Sequence, residues 1–138
     1  MPYFSQRSKS RLLTCHGDLQ TLFNEVIRHY DCRILCGHRN ESDQNQAVVE
    51  GKSKTPWPRS QHNAIPSMAI DVAPYPIDWK DTERFYYFGG YVQGIAKMLL
   101  ETGRMTHRVR WGGDWDSDHD LHDQRFMDLV HFELRPVR

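Results

Sequence analysis

Residues 60–72 read Ser-Gln-His-Asn-Ala-Ile-Pro-Ser-Met-Ala-Ile-Asp-Val and join a polar loop to a short apolar stretch. Met68 to Val72 is typical of a buried strand, which would present the carboxylate of Asp71 at a rigid edge. The preceding stretch, residues 52–66, is rich in Pro and Ser and predicts an irregular loop that delivers His62. This junction therefore predicts a fold that holds an imidazole and a carboxylate side by side.

A second histidine lies far downstream, in residues 128–133, which read Asp-Leu-Val-His-Phe-Glu. Two imidazoles and one carboxylate are the donor set of a catalytic zinc site, because three protein ligands leave a fourth position open for water. We therefore predict that His62, Asp71 and His131 bind zinc. Asp128 would act as general base and then as general acid, and this combination predicts hydrolysis.

The pattern resembles the zinc D-alanyl-D-alanine carboxypeptidases, the VanY-type peptidases and the related phage endolysins. The elements that carry the resemblance are Ser60-Gln-His62, Ala69-Ile-Asp71, Asp128-Leu-Val-His131-Phe-Glu133, Gly37-His-Arg39 and Trp111-Gly-Gly-Asp-Trp115. The resemblance covers nearly the whole chain. It departs from the family in two places: the spacer after His62 is longer and contains Pro66, and Asp128 stands where many relatives carry Glu.

The resemblance implies the hedgehog/D-Ala-D-Ala-peptidase-like zinc peptidase fold, with a single domain over residues 1–138. It also implies that the substrate is the stem peptide of bacterial peptidoglycan, and it favours a phage endolysin that acts as an L-alanyl-D-glutamate endopeptidase. Two alternatives remain open. One is a D-alanyl-D-alanine carboxypeptidase; the other is a non-catalytic zinc-containing binding module, which the presence of Asp128 and Arg39 disfavours.

Three further residues are candidates for the site. Arg39 would stabilise the negative charge that develops on the carbonyl oxygen, or grip a substrate carboxylate. Ser60 would either bind the substrate or turn its loop. Glu133 lies two residues from His131, on the same face of a strand, and is either a support that orients a ligand imidazole or a surface carboxylate.

Acidic residues alternate along one loop, at Asp114, Asp116, Asp118 and Asp120. The spacing partly matches the start of a calcium-binding EF-hand loop, but His119 stands where that loop requires glycine. A solvated acidic loop is therefore the favoured interpretation, and calcium binding is the alternative.

Charge, apolar content and cysteine number limit the partners and the cellular compartment that we expect. Lys plus Arg and Asp plus Glu number 18 each, so the formal net charge is zero and no basic field predicts a nucleic-acid partner. No apolar run approaches the roughly 20 residues of a membrane span. The odd number of cysteines, three, and the absence of an N-terminal apolar segment predict reduced thiols. We expect a monomer made in the host cytoplasm without a signal peptide, which reaches the cell wall (periplasm) after another protein has breached the membrane.

The periodicity predicts an α+β domain, in which helices pack on a small, mainly antiparallel sheet. Apolar residues between Leu12 and Tyr30 predict one helix with a break near Gly17. Helices are also predicted over 42–50, ended by Gly51, and from Asp81 to Gly103. The predicted strands are 32–36, 68–72, 108–111 and 130–134.

Overall fold

The computed structural model describes residues 2–122 and 127–137. Within these ranges the helices are α1 (Gln6–Leu12), α2 (Gly17–Val26), α3 (Glu41–Val49) and α4 (Thr82–Glu101). The strands are β1 (Cys32–Cys36), β2 (Ala69–Pro74), β3 (Arg108–Gly112) and β4 (Asp128–Arg135), and a short 3-10 helix spans Gln61–Asn63. The predicted α+β class is confirmed, and each predicted strand is present.

The sheet is antiparallel throughout, with the strand order β1-β2-β4-β3. β2 and β4 are therefore interior strands, and every residue of β2 is buried. Their register places Asp71 directly opposite His131. Strand pairing thus brings together two side chains that are far apart in the sequence.

The N-terminal region contains the break that periodicity predicted near Gly17, but the segments on either side of it are two separate helices. α1 ends at Leu12 and α2 begins at Gly17, and the connection between them is held by the chain that leads into β2. The backbone N–H of His16 donates to the carbonyl oxygen of Ser67 at 2.9 Å. Leu13, which periodicity placed on the apolar face, is 71% exposed because it lies in this connection.

Asp81, Gly51 and Gly103 mark helix ends as predicted, and Asn40 is an N-cap that was not predicted from the sequence. Asn40 and Asp81 are the N-caps, and each side chain accepts a hydrogen bond from the backbone N–H three residues later. Gly51 and Gly103 follow the C-termini with φ angles of 76° and 80°, which glycine adopts without strain. In the described ranges, no helix has the length and apolar character that crossing a membrane requires.

The core lies between the sheet and the helices α2 and α4. Phe132 of β4 makes edge-to-face contacts with Phe23 of α2 and Phe88 of α4, at centroid distances of 5.6 and 6.2 Å. Alternate residues of a strand face opposite sides of a sheet. Because Phe132 faces the helices, its neighbours His131 and Glu133 face the opposite side.

The cysteines are free thiols in the structure. Cys15 and Cys32 are buried, as expected for small apolar residues, and burial raises the pKa of each thiol to about 12. Cys36 is only half-buried.

The contact between α4 and β3 generates a test of the packing. A Cβ atom on Gly89 would lie 2.1 Å from the ring of Trp111, whereas one on Gly90 would have no atom within 4 Å. We expect Gly89→Ala to lower the free energy of unfolding by about 1–3 kcal/mol through overpacking. Gly90→Ala should raise it by about 1 kcal/mol, because alanine is the better helix former. Urea denaturation of the two variants measures both effects, and equal changes would contradict the close approach.

Candidate functional site

Three side chains from separate parts of the chain meet at one point. Nε2 of His62 lies 3.2 Å from Oδ1 of Asp71, and Nδ1 of His131 lies 3.3 Å from the same oxygen. All three residues are buried, and one donor atom from each lies within 4.8 Å of the other two. The structure thus brings the predicted ligands together in an arrangement that can hold a metal ion.

Backbone contacts hold His62 against the sheet. The 3-10 helix that carries His62 is tied to the start of β2, because the N–H of Met68 donates to the carbonyl oxygen of Gln61 at 3.0 Å. On its other side, the N–H of Arg39 donates to the carbonyl oxygen of His62 at 2.8 Å. The loop therefore delivers its histidine as predicted, with its backbone anchored on both sides.

The ring of His62 is oriented by a backbone carbonyl. Nδ1 lies 2.7 Å from the carbonyl oxygen of Gly37, and since a carbonyl can only accept, Nδ1 carries the hydrogen. In the neutral ring Nε2 then directs its lone pair toward Asp71. A Cβ atom on Gly37 would lie 2.5 Å from the carbonyl oxygen of Arg11, so this backbone position requires glycine.

The ring of His131 is oriented by Glu133. Nε2 of His131 lies 2.8 Å from Oε1 of Glu133, and Oε2 of Glu133 accepts a hydrogen bond from Arg110 at 2.8 Å. Burial would raise the pKa of Glu133, but His131 and Arg110 outweigh burial and hold it below its ordinary value. The contact is the one expected of a residue that orients a ligand imidazole and leaves Nδ1 available.

The electrostatics of the cluster favour a cation. Burial would raise the pKa of Asp71, but the two imidazoles outweigh it and hold that pKa well below its ordinary range. Burial disfavours both charged imidazoles, yet Asp71 raises the pKa of His62 to about 10, and Asp71 with Glu133 raises that of His131 to about 8. A divalent metal ion would supply the same positive charge in place of the protons.

Arg39 contacts the cluster directly. Its Nη2 donates to Oδ2 of Asp71 at 3.1 Å, so the two oxygens of Asp71 have different partners: Oδ2 faces Arg39 and Oδ1 faces the imidazoles. The side chain of Arg39 is 12% exposed. Arg39 is therefore largely enclosed beside Asp71, unlike an exposed loop arginine.

Gln44 of α3 is a site residue that sequence reasoning missed. It is fully buried, and its Oε1 accepts hydrogen bonds from Arg39 and Asn63, both at 3.2 Å. Its Nε2 donates to the hydroxyl of Ser53 and to the carbonyl of Thr55. Gln44 thus joins Arg39, the His62 helix and the loop. A polar residue on a helix gives no local signal of this role, because the loop that buries it is distant in sequence.

Asp128 begins β4 at an irregularity in the sheet. The register of β3 and β4 shifts between Trp111 and Gly112, and Gly112 pairs with Asp128. A Cβ atom on Gly112 would lie 2.1 Å from the carbonyl oxygen of Asp128, so only glycine permits this approach. Burial, followed by the negative charge of Asp71, raises the pKa of Asp128 to about 6. A carboxyl group with that pKa can both accept and return a proton near neutrality.

Ser60 is the N-cap of the 3-10 helix. Its hydroxyl accepts a hydrogen bond from the N–H of His62 at 3.1 Å, and its own N–H donates to the side chain of Asn63 at 3.0 Å. The structure therefore shows the loop-turning role. Ser60 also lines the cleft beside His62, and its contact with substrate stays a prediction.

The acidic loop brings three of its four predicted carboxylates together. Oxygen atoms of Asp114, Asp116 and Asp118 lie within 4.8 Å of one another, whereas Asp120 is outside this group. Asp114 is buried, accepts hydrogen bonds from two backbone N–H groups of the loop, and has a pKa raised by burial. The loop is thus folded around Asp114.

A second His–Asp–His group lies at the N-terminus of α2. Donor atoms of His16, Asp18 and His107 lie within 4.8 Å of one another. Oδ2 of Asp18 lies 2.8 Å from Nδ1 of His107 and accepts hydrogen bonds from the backbone and hydroxyl of Thr106. These bonds all use the same oxygen of Asp18 and connect α2 to the segment before β3. The group therefore has a structural role, in which it holds these two segments together.

Comparisons with known proteins agree with one another. A family model described as phage L-alanyl-D-glutamate peptidase matches residues 1–135. The L-alanyl-D-glutamate peptidase of Escherichia phage T5 is 30% identical over 128 residues, which cover 88% of this chain and 87% of the relative. The crystal structure of the Serratia marcescens L-Ala D-Glu endopeptidase ChiX superimposes with a TM-score of 0.69 at 26% identity, over 96% of this chain and 89% of ChiX.

The contact between His131 and Glu133 predicts an effect on metal affinity. Glu133→Gln removes the charge that orients the ring, and loss of such a partner weakens metal binding by about 10- to 100-fold. Competition with a chromophoric zinc chelator measures the affinity, with Glu101→Gln on the exposed end of α4 as the matched control. Unchanged affinity in Glu133→Gln would show that Glu133 is not part of the metal centre.

Proposed function

Because this chain belongs to the phage L-alanyl-D-glutamate peptidase family, we propose that it is an endolysin that hydrolyses the L-alanyl-D-glutamate bond in the peptidoglycan stem peptide. The observation that carries the proposal is the convergence of His62, Asp71 and His131 beside a cleft that His62, His131 and Asp128 line. Bacterial cell wall is then the site of action, and the protein acts as a monomer.

The residues present fit a zinc ion. Two nitrogens and one carboxylate oxygen face the same point, and the second nitrogen of each ring already has an acceptor, Gly37 or Glu133. Zinc bound by His62, Asp71 and His131 would supply Lewis acidity toward the peptide carbonyl and toward water. Arg39 supports this arrangement, because it engages Oδ2 of Asp71 and leaves Oδ1 toward the imidazoles.

Asp128 performs the proton transfers. Its carboxylate removes a proton from the water that attacks the carbonyl carbon, and the same proton passes to the amine of glutamate as the amide bond breaks. The raised pKa of Asp128 supports both steps, since the group is neither strongly acidic nor permanently protonated near neutrality. Water is consumed and the two peptide fragments leave as a carboxylate and an amine.

Arg39 faces the cleft beside Asp128 and supplies positive charge near the reacting carbonyl. Negative charge that develops on the carbonyl oxygen is stabilised most by groups that are already in place. The bonds of Arg39 to Asp71 and Gln44 provide this preorganisation.

Two alternatives are decided by the products. A D-alanyl-D-alanine carboxypeptidase would release only D-alanine, and a zinc-containing binding module would release nothing. The names of the phage T5 relative and of ChiX favour the endopeptidase. The carboxyl group of Asp128, whose pKa is raised, lies near the candidate metal ligands, and this favours an enzyme over a binding module.

Substitution of Asp128 tests the mechanism. Asp128→Asn cannot accept the proton, and we expect it to lower kcat by about 10²- to 10⁴-fold while zinc affinity is retained. Asp128→Glu keeps a carboxylate and should retain activity. The measurement is mass spectrometry of fragments released from purified Gram-negative peptidoglycan by the zinc-loaded protein.

The fragments separate the hypotheses. Stem peptides that begin with D-glutamate establish the proposed endopeptidase, and loss of D-alanine alone establishes the carboxypeptidase. If the unmodified protein releases no fragments, the enzymatic proposal is wrong and the binding module stands; equal release by Asp128→Asn would overturn only the role of Asp128.

Calcium binding by the acidic loop stays a prediction, supported by the proximity of Asp114, Asp116 and Asp118. Trp115 lies between two of these residues, so its fluorescence should respond when calcium is added to the zinc-loaded protein. We expect Asp116→Asn to weaken the response about tenfold or more, because hard cations require charged oxygen ligands. A response absent from the unmodified protein, or equal with Mg²⁺, would favour the solvated loop.

A further inference from the structure

The cleft extends in two directions from the group formed by His62, Asp71 and His131. One arm, which we call the basic arm, has a volume of about 280 Å³ and is lined by His62, His131 and Ser60. The other, the Trp79 arm, has a volume of about 660 Å³ and is lined by Asp71, Cys36 and Trp79. Arg39, Lys52 and Asp128 line both arms, so the two cavities meet at the reacting centre.

The two arms carry opposite charge. The basic arm has six cationic residues against the two acidic residues Asp128 and Glu133; the six are Arg39, Lys52, Lys54, Arg59, Arg110 and Arg135. The Trp79 arm has Arg39 and Lys52 against four acidic residues, which are Asp43, Glu50, Asp71 and Asp128. A chain with zero net charge therefore presents a strong charge gradient across its active site.

Internal ion pairs occupy only some of the cations in the basic arm. Arg110 and Arg135 lie 2.8 and 3.6 Å from Oε2 of Glu133, and Lys52 lies 3.1 Å from Glu50. Arg59 is exposed, and within residues 2–122 and 127–137 its guanidinium makes no hydrogen bond or ion pair. Arg59 is therefore available to a ligand carboxylate, which a guanidinium binds in a two-point geometry.

The Trp79 arm offers an apolar surface. The indole is 62% exposed and stacks on Phe85 with a centroid distance of 5.4 Å and an interplanar angle of 16°. A second cavity of about 210 Å³ continues the surface past Phe85, Leu129 and Val130. Exposed apolar grooves of this kind mark binding sites for uncharged or apolar groups.

The chemistry of the proposed substrate matches this polarity. Glutamate is a dicarboxylic acid, so one carboxylate remains free even when the other continues the peptide, and it is ionised at neutral pH. The alanine side of the bond carries a methyl group and, in peptidoglycan, the sugar. The free carboxylate on the glutamate side therefore complements the basic arm, and the uncharged alanine and sugar match the exposed aromatic surface of the Trp79 arm.

On the basis of the proposed function, we infer that the cleft fixes the direction of the substrate: Arg59 and the basic arm bind the carboxylate of the glutamate, and the Trp79 arm holds the alanine and sugar. Arg59 is a specificity-determining residue in this arrangement. Its effect is on recognition of charge, and the reacting groups do not depend on it.

A pair of substrates tests the basic arm. The sugar-linked stem peptide is compared with the same peptide in which the free glutamate carboxylate is an amide. For the unmodified protein we expect kcat/KM to fall about tenfold on amidation, mainly through KM. Arg59→Gln should lower kcat/KM for the carboxylate substrate by a similar factor and reduce the penalty of amidation to about twofold. Arg7→Gln, an exposed arginine of α1, is the matched control and should leave both values unchanged.

The outcomes distinguish this inference from the function on which it rests. If the unmodified protein cleaves both peptides equally well, or if Arg59→Gln keeps the full penalty, the inference is wrong while the peptidase remains established. If the unmodified protein cleaves neither peptide, the proposed function and this inference fail together.

The opposite arm has its own test. Trp79→Ala should raise KM about threefold to tenfold for the sugar-linked peptide, while leaving KM for the sugar-free peptide within about twofold. Tyr3→Ala, another exposed aromatic, is the control. An equal loss on both peptides would overturn the assignment of the sugar to the Trp79 arm. The melting temperature of each variant confirms that the fold is retained.

Discussion

The buried negative charge of Asp71 is the constraint on which the site depends. Removal of a carboxylate from water costs several kcal/mol, and the cost is offset only by partners that are well placed. Here His62 and His131 face one oxygen and Arg39 faces the other. Because these partners come from a loop, a strand and the segment after β1, the need to compensate one charge positions three separate parts of the chain.

The position of the site also depends on two glycines of the backbone. Gly37 and Gly112 each allow an approach that a side chain would block, and each places a functional group: a carbonyl on His62 in one case, and Asp128 in the other. Gln44 accepts a hydrogen bond from Arg39 and donates one to the carbonyl of Thr55, so it connects Arg39 to the loop. The candidate metal ligands are therefore held by the hydrogen bonds of their neighbours, and a site built this way would need little rearrangement to bind a cation.

Charge distribution, and not net charge, distinguishes the surface. The totals of acidic and basic residues cancel, yet the two arms of the cleft differ in sign. The separation arises because the 52–60 loop and β3–β4 bring basic residues to one side of the cluster, while α3 brings acidic residues to the other. An active site with this polarity can orient a substrate whose ends differ in charge.

Local features of the sequence determined most of the fold: the caps Asn40 and Asp81, the positive-φ glycines after α3 and α4, and the periodicity of the strands are all expressed within a few residues. Residue type and family resemblance likewise identified His62, Asp71, His131 and Asp128 as candidates. The hydrogen bond that ties the α1–α2 connection to Ser67, the burial of Gln44 and the polarity of the cleft were not predictable in this way. They were decided by tertiary structure, because each depends on contacts between segments that strand pairing and loop packing bring together only in the folded chain.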